Sequence, residues 1–383
     1  MKIAQTVCHS LTLDAAALLE LNLIEPQLIL VFASIEHASS TEFFPELQKY
    51  FPQAQIVGCS TAGEISAQGV TQQSSVITAV HFEAVTLRVV STELSAMQDS
   101  ELAGLALAKQ LAGPELGAVL LFGQGVDING SALIDGLTGV LGSSMPITGG
   151  LAGDDGLFSK TYTLSPHGVS STSIVAVGLY GERLVFSHGS FGGWKPFGPA
   201  RKVTKCIDNI LYELDGKPAL EIYQRYLGDY ASDLPGSGLL FPFEMLSDLR
   251  ESLGQIRTIL GINETDGSLI LAGDINPDGY LRLMHAHTDD LVDGAEVAAQ
   301  ASIEHLPPVQ GARLGLLVSC VGRKLVMGGR IDEEVEAVQD ILGAHTLLCG
   351  FYSNGEVCPG YKLETSRLHN QTMTITCLAE RAE

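Results

Sequence analysis

A short internal repeat limits the folds open to this chain more than any other part of its sequence. Residues 58–65 read GCSTAGEI and residues 350–357 read GFYSNGEV, so two glycines, a glutamate and a β-branched residue recur at the same spacing. A weaker copy, GGLAGDD, occupies 149–155. Because the flanking segments recur in the same order, the match indicates a duplicated unit rather than a chance identity.

Each copy of the motif follows a strand-helix pattern and precedes further strand patterns. Continuous apolar runs predict buried strands, and apolar residues at helical spacing predict the helices between them. The predicted elements of the three series are 27–34, 40–51, 55–60, 74–82 and 85–91; then 99–111, 118–123, 129–141, 147–155 and 173–181; and last 315–323, 332–342, 347–357 and 371–380. We predict a mixed α/β (α+β) fold of repeated strand-helix-strand units with antiparallel strands, its sheets flanked by helices. A length of 383 residues predicts two domains.

The composition excludes several classes of partner. The net charge is −22, from 22 Lys and Arg against 44 Asp and Glu, which opposes binding to nucleic acid and to anionic membrane surfaces. No run reaches the roughly 18 apolar residues of a membrane span, and the N-terminus lacks the pattern of a signal peptide. Seven cysteines without a CxxC pair indicate small buried residues in a reducing compartment. We therefore expect a cytoplasmic protein.

The mid-chain segment 187–228 holds the only tryptophan, Trp194. Its glycines and prolines predict a shaped bend between an apolar strand and a helix. A tryptophan in such a bend is either a packing plug between two domains or a platform for a ligand. On the second interpretation His188, Trp194, Lys195 and Arg201 surround a pocket at the domain junction.

The pair His285 and His287 is the pattern closest to a metal site. Residues two apart in a strand share a face, so the two imidazoles could hold a metal or supply an axial haem ligand. Because no third ligand is near in sequence, the alternative is a structural role for both. The DxNxDG run at 274–279 resembles the start of a calcium loop, but the position of its final glutamate is His285, which excludes calcium.

Searches for catalytic motifs predict no enzyme. The sequence contains no GxSxG, HExxH or phosphate-loop motif, and GGLAGDD lacks the spacing of a dinucleotide fingerprint. Cys59 and Asp154 are the remaining candidates for a hydrolase, and each has a simpler structural interpretation as a buried thiol and a turn cap.

Several motifs together resemble one family. GCSTAGEI, GGLAGDD, GWKPFGP (193–199), ELDGKPALEIYQRYLG (213–228), SCVGRK (319–324), FYSNGEVCPG (351–360) and LHNQTMT (368–374) look like the FIST proteins over nearly the whole chain. The resemblance implies a FIST N-terminal domain over 1–218 and a FIST C-terminal domain over 219–383. It also implies an intracellular sensory module for small ligands, with amino acids the proposed class. A bacterial subset is described as haem-binding nitric oxide sensors that regulate histidine kinases or cyclic-di-GMP enzymes.

We therefore expect a non-enzymatic sensor in which a small ligand changes how a separate signalling partner, such as a histidine kinase or a cyclic-di-GMP enzyme, is bound. The predicted ligand-binding residues are Glu64, Trp194, Lys195, Arg201, Tyr352 and Glu356. Glu64 and Glu356 are either acceptors that cap their turns or contacts for a cationic group. A haem-binding nitric oxide sensor is the first alternative, with haem held by His188, His285 or His287. A hydrolase and an interaction scaffold are the others.

Overall fold

The computed structural model describes residues 1–304, 306–307, 309, 311–360 and 365–381. The first of three related units begins the chain. Its elements are β1 (Lys2–Cys8), α1 (Ala15–Asn22), β2 (Leu28–Ala33), α2 (Ile35–Ser39), α3 (Phe43–Tyr50), β3 (Gln55–Ser60), β4 (Glu64–Ser66), β5 (Gly69–Thr71) and β6 (Ser75–His81). The Asp14 carboxylate accepts the Ala16 N–H at 2.9 Å and so caps α1. Strand β2 is buried at every position, as its unbroken apolar sequence predicts.

The second unit repeats this order. It contains β7 (Thr86–Glu93), a 3-10 turn (Met97–Asp99), α4 (Ser100–Leu111), β8 (Leu116–Gly123), α5 (Gly130–Leu141), β9 (Ile147–Leu151), β10 (Thr163–Ser165), β11 (Gly168–Ser170) and β12 (Ser173–Tyr180). The helices predicted at 99–111 and 129–141 each begin one residue later, because Asp99 and Asn129 stand at the N-cap position. The Asn129 side chain accepts the Ala132 N–H.

The third unit begins with β13 (Leu184–Phe191) and is then interrupted by an inserted subdomain. That subdomain contains β14 (Lys195–Ile207), β15 (Ile210–Leu214), β16 (Lys217–Pro218), α6 (Ala219–Leu227), 3-10 turns at Gly228–Asp233 and Gly236–Leu239, β17 (Phe243–Leu246), β18 (Ser252–Arg257), β19 (Ile259–Asn263), β20 (Ser268–Leu271) and β21 (Tyr280–His285). The predicted long bend is therefore only the short connection 192–194 between two strands.

After the inserted subdomain the third unit resumes and completes the repeat. Its elements are α7 (Thr288–Glu304), β22 (Arg313–Cys320), α8 (Val321–Met327), a 3-10 turn (Gly328–Arg330), α9 (Asp332–Leu342), β23 (Thr346–Ser353), β24 (Gly355–Pro359), β25 (Ser366–His369) and β26 (Met373–Glu380). The chain thus forms three units of one pattern and one inserted subdomain.

The three units exchange their hairpins in a cycle. The sheets have the orders β1-β6-β2-β3-β10-β11, β7-β12-β8-β9-β24-β25 and β13-β26-β22-β23-β4-β5. The second unit thus adds its hairpin to the first sheet, the third unit to the second sheet, and the first unit to the third sheet. Among the strands that the structure describes, the parallel pair of each of these sheets is the central one: β2 with β3, β8 with β9, and β22 with β23.

One face of each of these three sheets contributes to a shared core. Phe32 of β2 lies 5.7 Å from Phe122 of β8 and 4.8 Å from Phe351 of β23 between ring centroids, so all three units meet there. The opposite faces pack under α1–α3, under α4 and α5, and under α7–α9. This arrangement confirms the predicted mixed α+β fold with helices flanking the sheets.

The repeated glycine is a point of close strand approach. A Cβ at Gly58, Gly149 or Gly350 would lie 1.8, 2.1 and 1.8 Å from the backbone oxygen of Val31, Leu121 and Leu317, respectively. No side chain fits in that space, which is why glycine stands at the same position of each parallel strand pair. The weak motif at 149–155 is thereby a true third copy.

The three glycine motifs also close a ring of backbone hydrogen bonds. Gly153 N–H donates to Ser60 O, Asn354 N–H to Leu151 O, and Ala62 N–H to Tyr352 O, at 2.8, 3.2 and 2.8 Å. Donors stand four residues after the repeated glycine and acceptors two residues after it. The units are therefore joined head to tail around a pseudo-threefold axis.

The inserted subdomain has its own sheet and its own core. Its strand order is β18-β17-β21-β14-β15-β20-β19, with β16 beside β15, and α6 packs on it through Leu220 and Tyr223. The boundary predicted at residue 218 falls inside this sheet, where Glu213 pairs with Pro218. No helix within the described residues is long and apolar enough to span a membrane.

Candidate functional site

A cavity of about 490 Å³ lies where the inserted subdomain meets the third unit. We call it the Trp194 cavity. Its apolar wall includes Phe191, Trp194, Ile256, Met284 and Val297. Its other lining residues are Ser190, Gly192, Gly193, Glu244, Ser252, Gly254, Gln255, Ala301, His369 and Thr372. The volume lies within the range usual for small-molecule sites, which combine apolar walls with a few polar groups.

Glycines allow a close approach between helix α7 and the chain around residues 192–194, the connection that we call the Trp194 loop. A Cβ at Gly189 would lie 2.0 Å from Ala298 O, and one at Gly193 would lie 2.1 Å from Asp290 O. Gly193 also has a φ of +78°, which glycine adopts without strain. This close contact leaves Trp194 only 8% exposed, and its indole N–H donates to Gln371 O at 2.8 Å.

The polar side chains that line the Trp194 cavity carry one paired carboxylate, one imidazole, one amide (Gln255) and hydroxyls. Glu244 Oε2 accepts from Arg282 Nη2 at 2.6 Å. Burial lowers the pKa of His369 to about 4, so its ring is neutral, and Nε2 lies 3.1 Å from Cys358 O. None of the lining residues is a lysine or an arginine. Sequence reasoning missed Glu244, although a glutamate inside an apolar strand is itself a signal of a special role.

Lys195 and Arg201 lie outside this cavity. Lys195 is 61% exposed and pairs with Asp290. Arg201 donates to Asp215 at 3.0 Å and also bonds the Tyr226 hydroxyl. The alternation of β14 carries both side chains away from the wall that Trp194 forms. The structure therefore does not bring the six predicted ligand residues together.

Glu64 and Glu356 are buried equivalents in the first and third units. Glu64 accepts from the Thr61 hydroxyl and from the Ser74 N–H and hydroxyl. Glu356 accepts from the Ser353 hydroxyl and from the Thr372 N–H and hydroxyl. Burial raises the pKa of each to about 7 against the opposing effect of these donors. Their contacts match the first of the two interpretations, acceptors that fix a turn.

Because of these two carboxyls, the free energy of unfolding should fall as the pH rises from weakly acidic to weakly basic. Because the folded protein binds each proton more tightly than an unfolded chain with a pKa near 4.5, the stabilisation is complete below about pH 4.5 and is lost as the pH rises through about 7. The loss is on the order of 2–3 kcal/mol per group. Urea unfolding of the wild type and of a Glu64→Gln/Glu356→Gln variant at about pH 5 and about pH 8 measures it.

In that experiment the double variant should lose most of the pH dependence, while a Glu336→Gln variant of an exposed residue should retain it. An equal slope in the double variant and the wild type would contradict the assignment.

Tyr352 lies in a buried ionic network that sequence reasoning missed. Its hydroxyl donates to Glu334 Oε1 at 2.7 Å, and Arg323 Nη2 donates to Glu334 Oε2 at 2.6 Å. Arg323 and Glu334 are fully buried. Arg323 also donates to the carbonyls of Gly192 and Leu291, so the network fixes the Trp194 loop. Tyr352 does not line the Trp194 cavity. The sequence signal for this network was Arg323 in the run SCVGRK, directly after an apolar strand. An arginine that is buried at such a position needs a partner of opposite charge.

The three histidines predicted as haem ligands lie outside the Trp194 cavity. Half-buried His188 lies on β13, with Nε2 3.4 Å from Gly360 O. The strand that was predicted to hold both His285 and His287 ends at His285. His287 is exposed beyond it, and the centroids of the two imidazole rings lie 5.6 Å apart. None of the three lines the Trp194 cavity, and the histidine that does, His369, has Nε2 turned to a carbonyl. Among the residues described, no cluster of three or more His, Cys, Asp or Glu has metal-binding geometry.

Cys59 and Asp154 are held in structural environments. Burial raises the pKa of the Cys59 thiol well above its ordinary value, which opposes the thiolate that a nucleophile requires. Asp154 accepts from the N–H groups of Phe158, Ser159 and Lys160 and so organises a loop.

A second cavity, of about 390 Å³, lies where all three units meet. We call it the Lys324 cavity. It contains predicted residue Glu64 together with Ile35, Asp155, Tyr162 and Lys324. The remaining lining residues are Ser34, Glu36, Thr61, Ala62, Gly63, Gln72, Gln73, Asp154, Leu157, Ser159 and Lys160. Lys324 Nζ donates to Ala62 O at 2.6 Å and to Asp155 Oδ1 at 2.7 Å.

Two protein-family models together match most of this chain. The FIST N domain matches residues 27–217 and the FIST C domain matches residues 219–359. The chain belongs to the FIST family. FIST domains are associated with sensory signal transduction. The two FIST matches meet within the inserted subdomain, so the Trp194 cavity is lined by residues of the first match and of the second.

Two relatives of this FIST protein are described as uncharacterised proteins. One, from Methanocaldococcus jannaschii, is 27% identical over 217 residues, which is 53% of this chain and 41% of the relative. One from Mycobacterium tuberculosis is 26% identical over 196 residues, 49% of this chain and 50% of the relative. The match thus spans half or less of these relatives. A solved structure, a cyanuric acid hydrolase from A. caulinodans, aligns over 100% of this chain and 99% of its own with a TM-score of 0.39 and 8% identity.

Proposed function

We propose that this FIST protein is a cytoplasmic, non-enzymatic sensor that binds a small ligand in the Trp194 cavity and alters the binding of a signalling partner. The observation that carries this proposal is the position of the cavity. One wall belongs to the inserted subdomain, through Glu244, Ile256 and Met284, and the other to the third unit, through Val297 and His369. A ligand that contacts both walls can favour one arrangement of the two parts over another.

The lining selects the chemistry of the ligand. Trp194, Phe191 and Met284 provide an apolar and aromatic surface, and Glu244 is the one carboxylate among the lining residues. Arg282 donates twice to Glu244 Oε2, at 3.1 and 2.6 Å, which leaves Oε1 to accept from a ligand amino group. Aromatic faces also attract cations. The ligand class is therefore a small molecule with an amino group and an apolar body, and amino acids are the first members to test.

A route from the cavity to the rest of the protein runs through its backbone. The Gly192 carbonyl accepts from Arg323, whose partner Glu334 also holds Tyr352. The indole N–H of Trp194 donates to Gln371 O. The next residue, Thr372, donates its backbone N–H to Glu356, so the loop is also linked to that carboxylate. A shift of the Trp194 loop would change both sets of hydrogen bonds. The proposed output is a changed affinity for a histidine kinase or a cyclic-di-GMP enzyme.

The single tryptophan makes binding directly measurable. Because Trp194 lies in the cavity wall, ligands should change the intensity or wavelength of the protein's tryptophan emission. We expect saturable changes with apolar amino acids and with the corresponding amines. An Ala301→Phe variant, which fills the cavity from α7, should weaken the affinity at least about tenfold, equivalent to 1.4 kcal/mol.

The matched control is Gln300→Phe, which adds the same ring to the exposed face of α7 and should bind normally. Equal affinity in the wild type and the Ala301→Phe variant would refute the assignment of the cavity. A Glu244→Gln variant separates the contribution of the amino group, since it should weaken amines more than uncharged analogues.

A further inference from the structure

The Lys324 cavity is independent of the Trp194 cavity and has a different charge pattern. The first unit supplies Ile35 and Glu64, the second supplies the loop at 154–162, and the third supplies Lys324. The Lys324 side chain is 11% exposed, so its ammonium group is largely withdrawn from solvent. Its bonds to Ala62 O and Asp155 Oδ1 use two of its three donors.

Asp155 breaks the pseudo-threefold pattern at this point. It stands six residues after the repeated glycine, as Glu64 and Glu356 do in the other units. Those two acids accept from hydroxyls three residues earlier, Thr61 and Ser353. The second unit has Ala152 there, which has no hydroxyl to donate. Asp155 therefore lies outside a turn network and reaches Lys324 instead.

The Asp155 carboxylate is a weak partner for a withdrawn ammonium group. Its side chain is 70% exposed, with a positive φ of 59° in its backbone. Exposed carboxylates hold cations weakly, because water and salt compete for them. A ligand anion that enters the cavity can replace it at Lys324 Nζ at little cost.

We propose that the Lys324 cavity binds a small monocarboxylate, whose anionic group takes the place of Asp155 at Lys324 Nζ. The side chains of Ile35, Leu157 and Tyr162 would contact the uncharged body of the ligand. Lys160, whose Nζ lies 5.2 Å from the centre of the Tyr162 ring, adds positive charge at the mouth.

The acids of the cavity limit the ligand to one negative charge. Asp154 is occupied by three N–H donors, and Glu64 by the donors of its own turn. Glu36 is exposed at the rim. A second carboxylate on the ligand would face these acids with only the exposed Lys160, among the lining residues, left to pair with it.

Propionate and butyrate are suitable probes, with propylammonium as the cation of matched size. Binding is measured by isothermal titration calorimetry of the full chain at constant ionic strength. We expect an Asp155→Asn variant to bind the carboxylates about three- to tenfold more tightly than the wild type, because the internal competitor loses its charge. A Lys324→Met variant should lose carboxylate binding, and propylammonium should not bind to the Ala301→Phe variant, in which the Trp194 cavity is filled.

If the Lys324→Met variant folds poorly, the expected gain of affinity in the Asp155→Asn variant still tests the proposal. Circular dichroism checks that each variant is folded. The Ala301→Phe variant should bind propionate as the wild type does, which separates this site from the Trp194 cavity. Unchanged affinity in Asp155→Asn, retained binding in a folded Lys324→Met, or no binding of either carboxylate to the Asp155→Asn variant would overturn the proposal.

Discussion

A Glu334→Gln variant is expected to lose about 3–5 kcal/mol of its free energy of unfolding, because it leaves the buried Arg323 guanidinium without a counter-charge. Both side chains are fully buried, and Glu334 also accepts from Ser319 at 2.9 Å and from Tyr352. The amide of glutamine replaces one acceptor oxygen with a donor and removes the charge. Chemical denaturation followed by circular dichroism measures the loss.

The chain offers a matched control for this change. Glu221 pairs with Arg225 on the surface of α6, where the side chains are 54% and 65% exposed. A Glu221→Gln variant should change stability by less than about 1 kcal/mol. A double variant, Arg323→Met/Glu334→Leu, should recover part of the loss, since a buried apolar pair needs no compensation. Equal effects at Glu334 and Glu221 would show that the buried pair has no special weight.

A Gly350→Ala variant is expected to be severely destabilised by the addition of a single methyl group. The new Cβ would lie 1.8 Å from Leu317 O, a backbone atom in the centre of the third sheet. Relief requires β22 and β23 to separate, which breaks their parallel hydrogen bonds and opens the shared core around Phe351. We expect a loss of more than about 4 kcal/mol, seen as insoluble protein or as a large fall in the denaturation midpoint.

Gly58→Ala and Gly149→Ala should behave alike, because the contacts are equivalent. Gly139→Ala is the control. Gly139 lies in α5, and a Cβ there would have no neighbour within 4 Å. Since alanine favours a helix over glycine, this variant should gain about 0.5–1 kcal/mol. A Gly350→Ala protein as stable as the wild type would contradict the role given to the repeat.

The sequence allowed the repeat, the element order and the fold class to be predicted, because buried strands and capped helices leave local patterns. The apolar run of β2 and the Asn129 cap of α5 are examples. The hairpin exchange and the inserted subdomain could not be predicted. Which strand edge a hairpin joins depends on contacts far apart in sequence, such as Glu64 with Phe351.

The candidate site was predictable only in part, for a similar reason. The composition of its loop marked out Trp194, which lines the Trp194 cavity. Lys195 and Arg201 were grouped with it by proximity in the chain, but the strand β14 places them elsewhere. Glu244 and His369 come from separate strands that only the folded sheet brings to the same wall. Glu64 lines the Lys324 cavity, where the positive charge of Lys324, a residue of the third unit, acts to lower the pKa of Glu64.

The cyclic hairpin exchange has a consequence for how this protein is made. The hairpin β4–β5 pairs with β23, and β13 pairs with β26, so the first unit and the start of the third carry strands whose partners are translated much later. While a ribosome is still adding those residues, the nascent chain holds unpaired strand edges that other polypeptides can occupy. Completion of the native sheets therefore waits for release of the last strand. Truncation before β26 should trap the protein with open edges instead of yielding a smaller folded domain.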